Sequence, residues 1–153
     1  MDTKSTFCLS KTQSKCIFFI SFISLFTCIY GLYNGHTDVA LIVPGLVFIT
    51  STLNWYEPLY DWRRYLDICY VVFAYIYAVI RAINSTNELL FNIFMIIAII
   101  CFFIGYICIK YDYCWNSVYF HMGVHICANI ALLALFSGNI DSISESPIFN
   151  YFL

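Results

Sequence analysis

Charge is scarce in this chain. Asp, Glu, Lys and Arg together make up 10% of its 153 residues, whereas a soluble domain carries about 25%. That shortage, with 62% hydrophobic residues and a mean hydropathy of +0.82, excludes an ordinary soluble domain. No basic cluster exists beyond Arg63-Arg64, which argues against nucleic-acid binding. Glycine and proline are also few, at 6 and 3. No low-complexity linker and no internal repeat is visible, and the length allows one compact domain. Cysteine is not lacking, since there are 8, but none forms CxxC and most fall in apolar runs. They read as small membrane-buried hydrophobes rather than a disulfide framework. Cys8 and Cys16 flank the first apolar run and give a weak acylation signal.

What the chain does have is long apolar stretches. A spanning helix needs roughly 20 mostly apolar residues, and five stretches qualify. They run from about Cys16 to Tyr33, Val39 to Trp55, Tyr65 to Ile80, Leu89 to Ile109 and Trp115 to Phe136. The expected fold is therefore an all-α polytopic membrane bundle of about five helices, with short connections that pack neighbours antiparallel. The first stretch is longer than a signal-peptide core and lacks a small-x-small cleavage site, so it reads as a membrane helix. With the N-terminus in the cytosol, Lys4, Lys11, Lys15, Arg63, Arg64 and Lys110 lie inside and only Arg81 lies outside. That bias, and Trp55, Trp62 and Trp115 at the inner interface, set the expected orientation. Residues 1–15 form a cytosolic tail, 16–137 the membrane domain and 138–153 a short non-cytosolic tail. The sequon Asn84-Ser85-Thr86 falls outside but hugs the membrane, so occupancy is not expected. Pro44-Gly45 lies within the second span and predicts a kink.

Polar residues inside such runs are costly and usually functional. His121 and His125 stand one turn apart in the last run, on a stripe with Ser117 and Asn129 at i, i+4, i+8 and i+12. Ser51 in the second span, Asp67 in the third and His121 in the fifth lie at depths that agree to within about 10 Å. A His pair at this spacing can grip one zinc ion from one helix, with a carboxylate such as Asp67 holding an imidazole N–H or orienting a metal-bound water. The same pair also reads as two interhelical hydrogen-bonding groups that fix packing. Asp67 reads equally as the partner of Arg63 or Arg64 at the interface. Thr50 and Ser51 read as helix residues bonded back to their own backbone. Asn92 and Asn129 read as interhelical glue, and His36 beside Asp38 as a solvated loop residue.

The segment STLNWYEPLYDWRRYLDICYVVFAYIYAVI, followed by HMGVH, resembles the CREST superfamily of membrane hydrolases, which includes alkaline ceramidases, progestin and adipoQ receptors and hemolysin III-like proteins. Ser51 matches the family's serine, Asp67 its aspartate, and His121 and His125 its terminal pair. The resemblance implies zinc as cofactor, with Asp67 and Ser51 near a catalytic water, and a lipid amide or ester as substrate. The family's first histidine would fall near Asn54-Trp55, and neither is histidine; the family has seven spans against five here. The phrase WYEPLYDWRRYLDI also resembles small membrane proteins of large DNA viruses, for which no activity is implied.

Two expectations follow: a reduced, CREST-like zinc-dependent lipid hydrolase, or a non-enzymatic membrane scaffold or interaction protein of a viral envelope or endomembrane. Both have membrane lipids as partners, and either is compatible with a homo-oligomer. A transporter or proton relay is disfavoured, because five spans without a repeat make a poor transporter.

Overall fold

In the computed structural model, residues 9–57, 59, 61–83 and 85–140 are described. Cys8, Lys4, Asn84 of the sequon and most of the expected outer tail lie outside the described residues. Every regular element among the described residues is helical. Five helices are long and apolar enough to cross a membrane: Lys11–Tyr33, Thr37–Tyr56, Trp62–Ala82, Glu88–Lys110 and Cys114–Phe136. The chain is a multi-pass membrane bundle, and these are its first to fifth spans.

Local chemistry sets the helix limits. The first span starts at Lys11, five residues before the first apolar run, because Ser10 and Gln13 form a reciprocal capping box. Cys16 therefore sits inside the helix rather than flanking it. The same span is interrupted at Ser21, whose hydroxyl donates to the Ile17 carbonyl at 2.9 Å, a back-bond that bends helices. Asp61 caps the third span by accepting from the Arg63 backbone N–H, and the Arg63 guanidinium holds its carboxyl below the usual carboxylate range. The expected kink at Pro44 takes a definite form: Leu41–Gly45 winds as a π-helical turn, since proline supplies no N–H and its ring crowds the preceding turn. Tyr70 of the third span donates to the Ile42 carbonyl at 2.6 Å, satisfying an acceptor of that irregular turn.

The fifth span is the centre of the bundle. It packs along the whole fourth span and against both halves of the first. The fourth span brings a stripe of Phe91, Met95, Ala98 and Gly105 to that contact, and the rest of the helix is exposed or half-buried. Small residues allow the approach: a Cβ added at Gly105 would stand 3.3 Å from Phe120 Cβ, and one at Gly123 3.3 Å from Cys101 Sγ. The second span packs on the first and third. The third and fourth spans scarcely touch, although a short loop joins them, so sequence neighbours do not all become packing neighbours.

On the side opposite Arg63-Arg64, polar pairs staple the helix ends. Arg81 reaches Asp38 at 3.3 Å, Tyr77 donates to Asp38 at 3.0 Å, and Asn87 donates to the Ala134 carbonyl at 2.8 Å. His36 is a loop residue as expected, but it is half-buried rather than fully solvated: its ring stacks on Phe136 with centroids 5.8 Å apart. Gly31 sits beneath this cap, where an added Cβ would meet Phe136 at 2.7 Å and Ala40 at 2.8 Å. Gly31→Ala should therefore destabilise by about 1–3 kcal/mol through overpacking. A lowered thermal midpoint in detergent, restored by the second change Phe136→Leu, is the expected outcome; an unchanged midpoint in Gly31→Ala contradicts it.

Candidate functional site

The second span carries Thr50, Ser51 and Asn54 on one face, at i, i+1 and i+4. The third span brings Asp67 opposite them. Ser51 Oγ donates to Asp67 Oδ1 at 2.8 Å, Thr50 Oγ1 to the same oxygen at 3.0 Å, and Asn54 Nδ2 to Asp67 Oδ2 at 3.1 Å. Asp67 is only 7% exposed. Three donors from one helix thus satisfy both carboxyl oxygens, as a buried carboxyl requires. The pairing of Asp67 with Arg63 expected at the interface does not form: Arg63 binds Asp61 at 2.8 Å and approaches Glu57 at 3.9 Å. Arg64 lines a cavity together with Asp67 and His121. Thr50 retains a weak back-bond to the Val47 carbonyl at 3.3 Å, but Ser51 is spent on Asp67.

The stripe on the fifth span faces inward as its spacing suggests. Ser117, His125 and Asn129 are buried, and His121 is half-buried. The imidazoles of His121 and His125 meet edge to face, with centroids 5.3 Å apart. Asn129 ties the fifth span to the first by donating to Ser24 Oγ at 3.1 Å, and also donates to the His125 carbonyl at 2.7 Å. That is the interhelical role expected of it, a bond worth roughly 0.6 kcal/mol in a membrane. Trp55 follows Asn54 and lays its indole against His121 with centroids 4.9 Å apart. Trp55 is 6% exposed, and its Nε1 has no partner among the described residues; nor has Asn129 Oδ1.

Two cavities meet at these residues. The larger, of about 340 Å³, lies between the third, fourth and fifth spans. Its walls are apolar, with Ala74, Ala78, Met95 and Leu132 among them, and its polar residues are Ser24, Ser51, Asp67, His121, His125 and Asn129. Val72 and Phe103, both more than half exposed, stand at its rim, so the cavity is a cleft that opens sideways between the third and fourth spans. The smaller cavity, of about 200 Å³, lies toward the basic side and is lined by Asn54, Trp55, Arg64 and Ser117. Asp67, Ile68, Phe102 and His121 line both.

The sequence-selected residues thus converge in part. Ser51 and Asp67 are in direct contact, and both face the cleft with His121 and His125. Sequence reasoning assigned no site role to Thr50, Asn54, Trp55, Arg64 or Ser24. The i, i+4 spacing of Thr50 and Asn54 was a usable signal; the contacts of Trp55 and Ser24 join segments far apart in the chain and had none. Among the described residues, no group of three or more His, Cys, Asp or Glu side chains is placed to hold a metal ion. The donors do not fit a three-histidine zinc centre, since Asn54 is committed to Asp67 and Trp55 presents an indole to His121.

Comparison with protein-family models, with curated proteins and with solved structures gives no match.

The Asp67 cluster yields a stability test. Asp67→Leu leaves Asn54 Nδ2 buried without its acceptor, while the two hydroxyls can turn back to their own helix carbonyls. The cost should be about 1–3 kcal/mol, read as a lower thermal midpoint. The double variant Asn54→Leu/Asp67→Leu should recover most of it, because neither partner is then left unpaired; no recovery would place the cost elsewhere.

Proposed function

We propose that this protein takes a lipid from the surrounding bilayer into the cleft between its third and fourth spans. There it holds the lipid's polar group against the Asp67 cluster without cleaving it. The observation that carries this reading is the cleft itself: apolar walls, a sideways mouth at Val72 and Phe103, and a few convergent polar groups. Ligand sites have this build, mostly apolar with a small number of orienting polar groups. The motif resemblance to the CREST hydrolases supports a lipid as ligand. At Asn54-Trp55, near which the resemblance would put a metal-binding histidine, the chain has an amide and an indole, which supports binding without turnover.

The hydrolase reading remains as a second one, favoured by the Ser51–Asp67 contact beside His121. In it, water adds to the carbonyl of a lipid amide or ester as the His121 imidazole takes its proton, and the imidazolium returns that proton to the leaving nitrogen or oxygen as the acyl C–N or C–O bond breaks, giving a fatty acid and an amine or alcohol.

One preparation separates the two. Protein purified in mild detergent should carry a co-purifying lipid, detected by extraction and mass spectrometry. Val72→Trp, which obstructs the mouth at an exposed position, should reduce that lipid by about fivefold or more with an unchanged melting midpoint; full retention overturns the cleft reading. Incubation with labelled lipid amides and esters should release no free fatty acid. Release that is lost in His121→Ala/His125→Ala, with zinc present in the active preparation at one per chain, would establish the hydrolase instead.

A further inference from the structure

The smaller cavity adds a second compartment, and its chemistry differs from the cleft. It holds Arg64, the one guanidinium among its lining residues, and the indole of Trp55, whose buried Nε1–H has no partner among the described residues. An N–H buried without an acceptor is costly, and a ligand oxygen is a natural remedy. Arginine presents a planar fork of donors suited to phosphate oxygens. The two compartments meet at Asp67 and His121.

The third span sets these groups in order along one face. Arg64, Asp67, Val71, Ala74 and Ala78 follow one another at helical spacing and line the two adjacent cavities in that sequence. At 1.5 Å per residue, Asp67 lies about 4.5 Å beyond Arg64 along the axis, and Ala78 about 21 Å beyond it. The face therefore reads cation, hydrogen-bond acceptor, hydrocarbon. A glycerol monoester of phosphate with one acyl chain has the complementary order: phosphate, hydroxyl, hydrocarbon. The cleft volume lies at the low end of the roughly 300–1,000 Å³ range for small-ligand sites, which suits one chain rather than two. A phosphate monoester carries three terminal oxygens and about −1.5 to −2 charges near neutral pH, enough to engage both Arg64 and the Trp55 N–H. A carboxylate has two oxygens and one charge.

We propose that the ligand is a single-chain glycerophospholipid with a phosphate-monoester head. The phosphate sits in the smaller cavity against Arg64 and Trp55, the free glycerol hydroxyl donates to Asp67, and the chain lies in the cleft. This rests on the lipid-binding reading above and names the ligand class for it.

The test is a head-group ladder on the full chain in detergent, read by native mass spectrometry. The probes share one chain length: a lysophosphatidic acid, the matching monoacylglycerol and the matching fatty acid, with inorganic phosphate as a chainless control. Lysophosphatidic acid should bind about tenfold more tightly than the monoacylglycerol and the fatty acid, and inorganic phosphate should neither bind measurably nor compete. R64Q should compress the lysophosphatidic acid to monoacylglycerol ratio to about twofold, R64K should keep an intermediate ratio, and W55F should lower it. Because the ladder is read first on the unaltered protein, a variant that fails to fold does not leave the matter open. Equal affinities for the phosphorylated and unphosphorylated lipids would overturn the head-group assignment while leaving lipid binding intact. Effective competition by inorganic phosphate would overturn the assignment in favour of a free-anion site. No binding of any probe with a chain would overturn the lipid reading itself.

Discussion

A carboxyl group held among apolar helices is the constraint on which the rest of the arrangement depends. Asp67 needs donors for both oxygens, and water is scarce at that depth. Thr50, Ser51 and Asn54 supply them from one turn of the second span. Their convergence fixes the depth and rotation of the third span against the second. Once that register is set, Tyr70 reaches the irregular turn at Pro44, and Arg64 comes to the basic-side cavity. A slip by one residue would leave donors and acceptor misaligned along a helix whose other buried positions are three alanines, Ala74, Ala78 and Ala82. Small apolar side chains specify register weakly; the polar cluster specifies it strongly.

The cleft follows from the same division of labour. The fifth span holds the fourth through close packing around Gly105 and Gly123, and holds the first partly through Asn129. The third span is held by the second. The third and fourth spans are thus each secured to a different neighbour, and their facing sides stay apart. Alanines on the third span widen that gap rather than fill it. An apolar cavity closed only by lipid-facing residues, with polar groups on its inner wall, is a natural receptacle for an amphiphile. The polar stripe of the fifth span stops at Asn129, and beyond it Leu132, Leu135 and Phe136 are buried in an apolar cap.

Ser51, Asp67, His121 and His125 gather about a common cavity although they come from three different spans. Trp55 adds an aromatic face against His121 and a buried N–H donor without an acceptor among the described residues. Asn54, its neighbour, is committed to Asp67. The polar wall of the cavity is therefore built from groups that mostly satisfy one another, with the indole N–H left over.

Much of the architecture was legible in the residues taken one by one. Five apolar runs, their approximate limits and the inward stripe of Ser117, His121, His125 and Asn129 follow from hydropathy and from the 3.6-residue period, because lipid permits only internally hydrogen-bonded backbone. The shared depth of Ser51 and Asp67 was legible too, but not their contact. Other features were not. Helix order along the chain does not say which helices touch, so the gap between the third and fourth spans, and the packing of the first on the fifth, could not be read. Nor could the competition for Asp67, where a sequence-adjacent arginine lost to three donors from another helix, while Arg63 turned back to its own cap at Asp61. The sequence by itself determined that the chain lives in a membrane and which side chains must be kept from lipid. Only the tertiary structure decided which of them meet, since those pairings join residues 13 to 105 positions apart and depend on how the helices rotate and lean against one another.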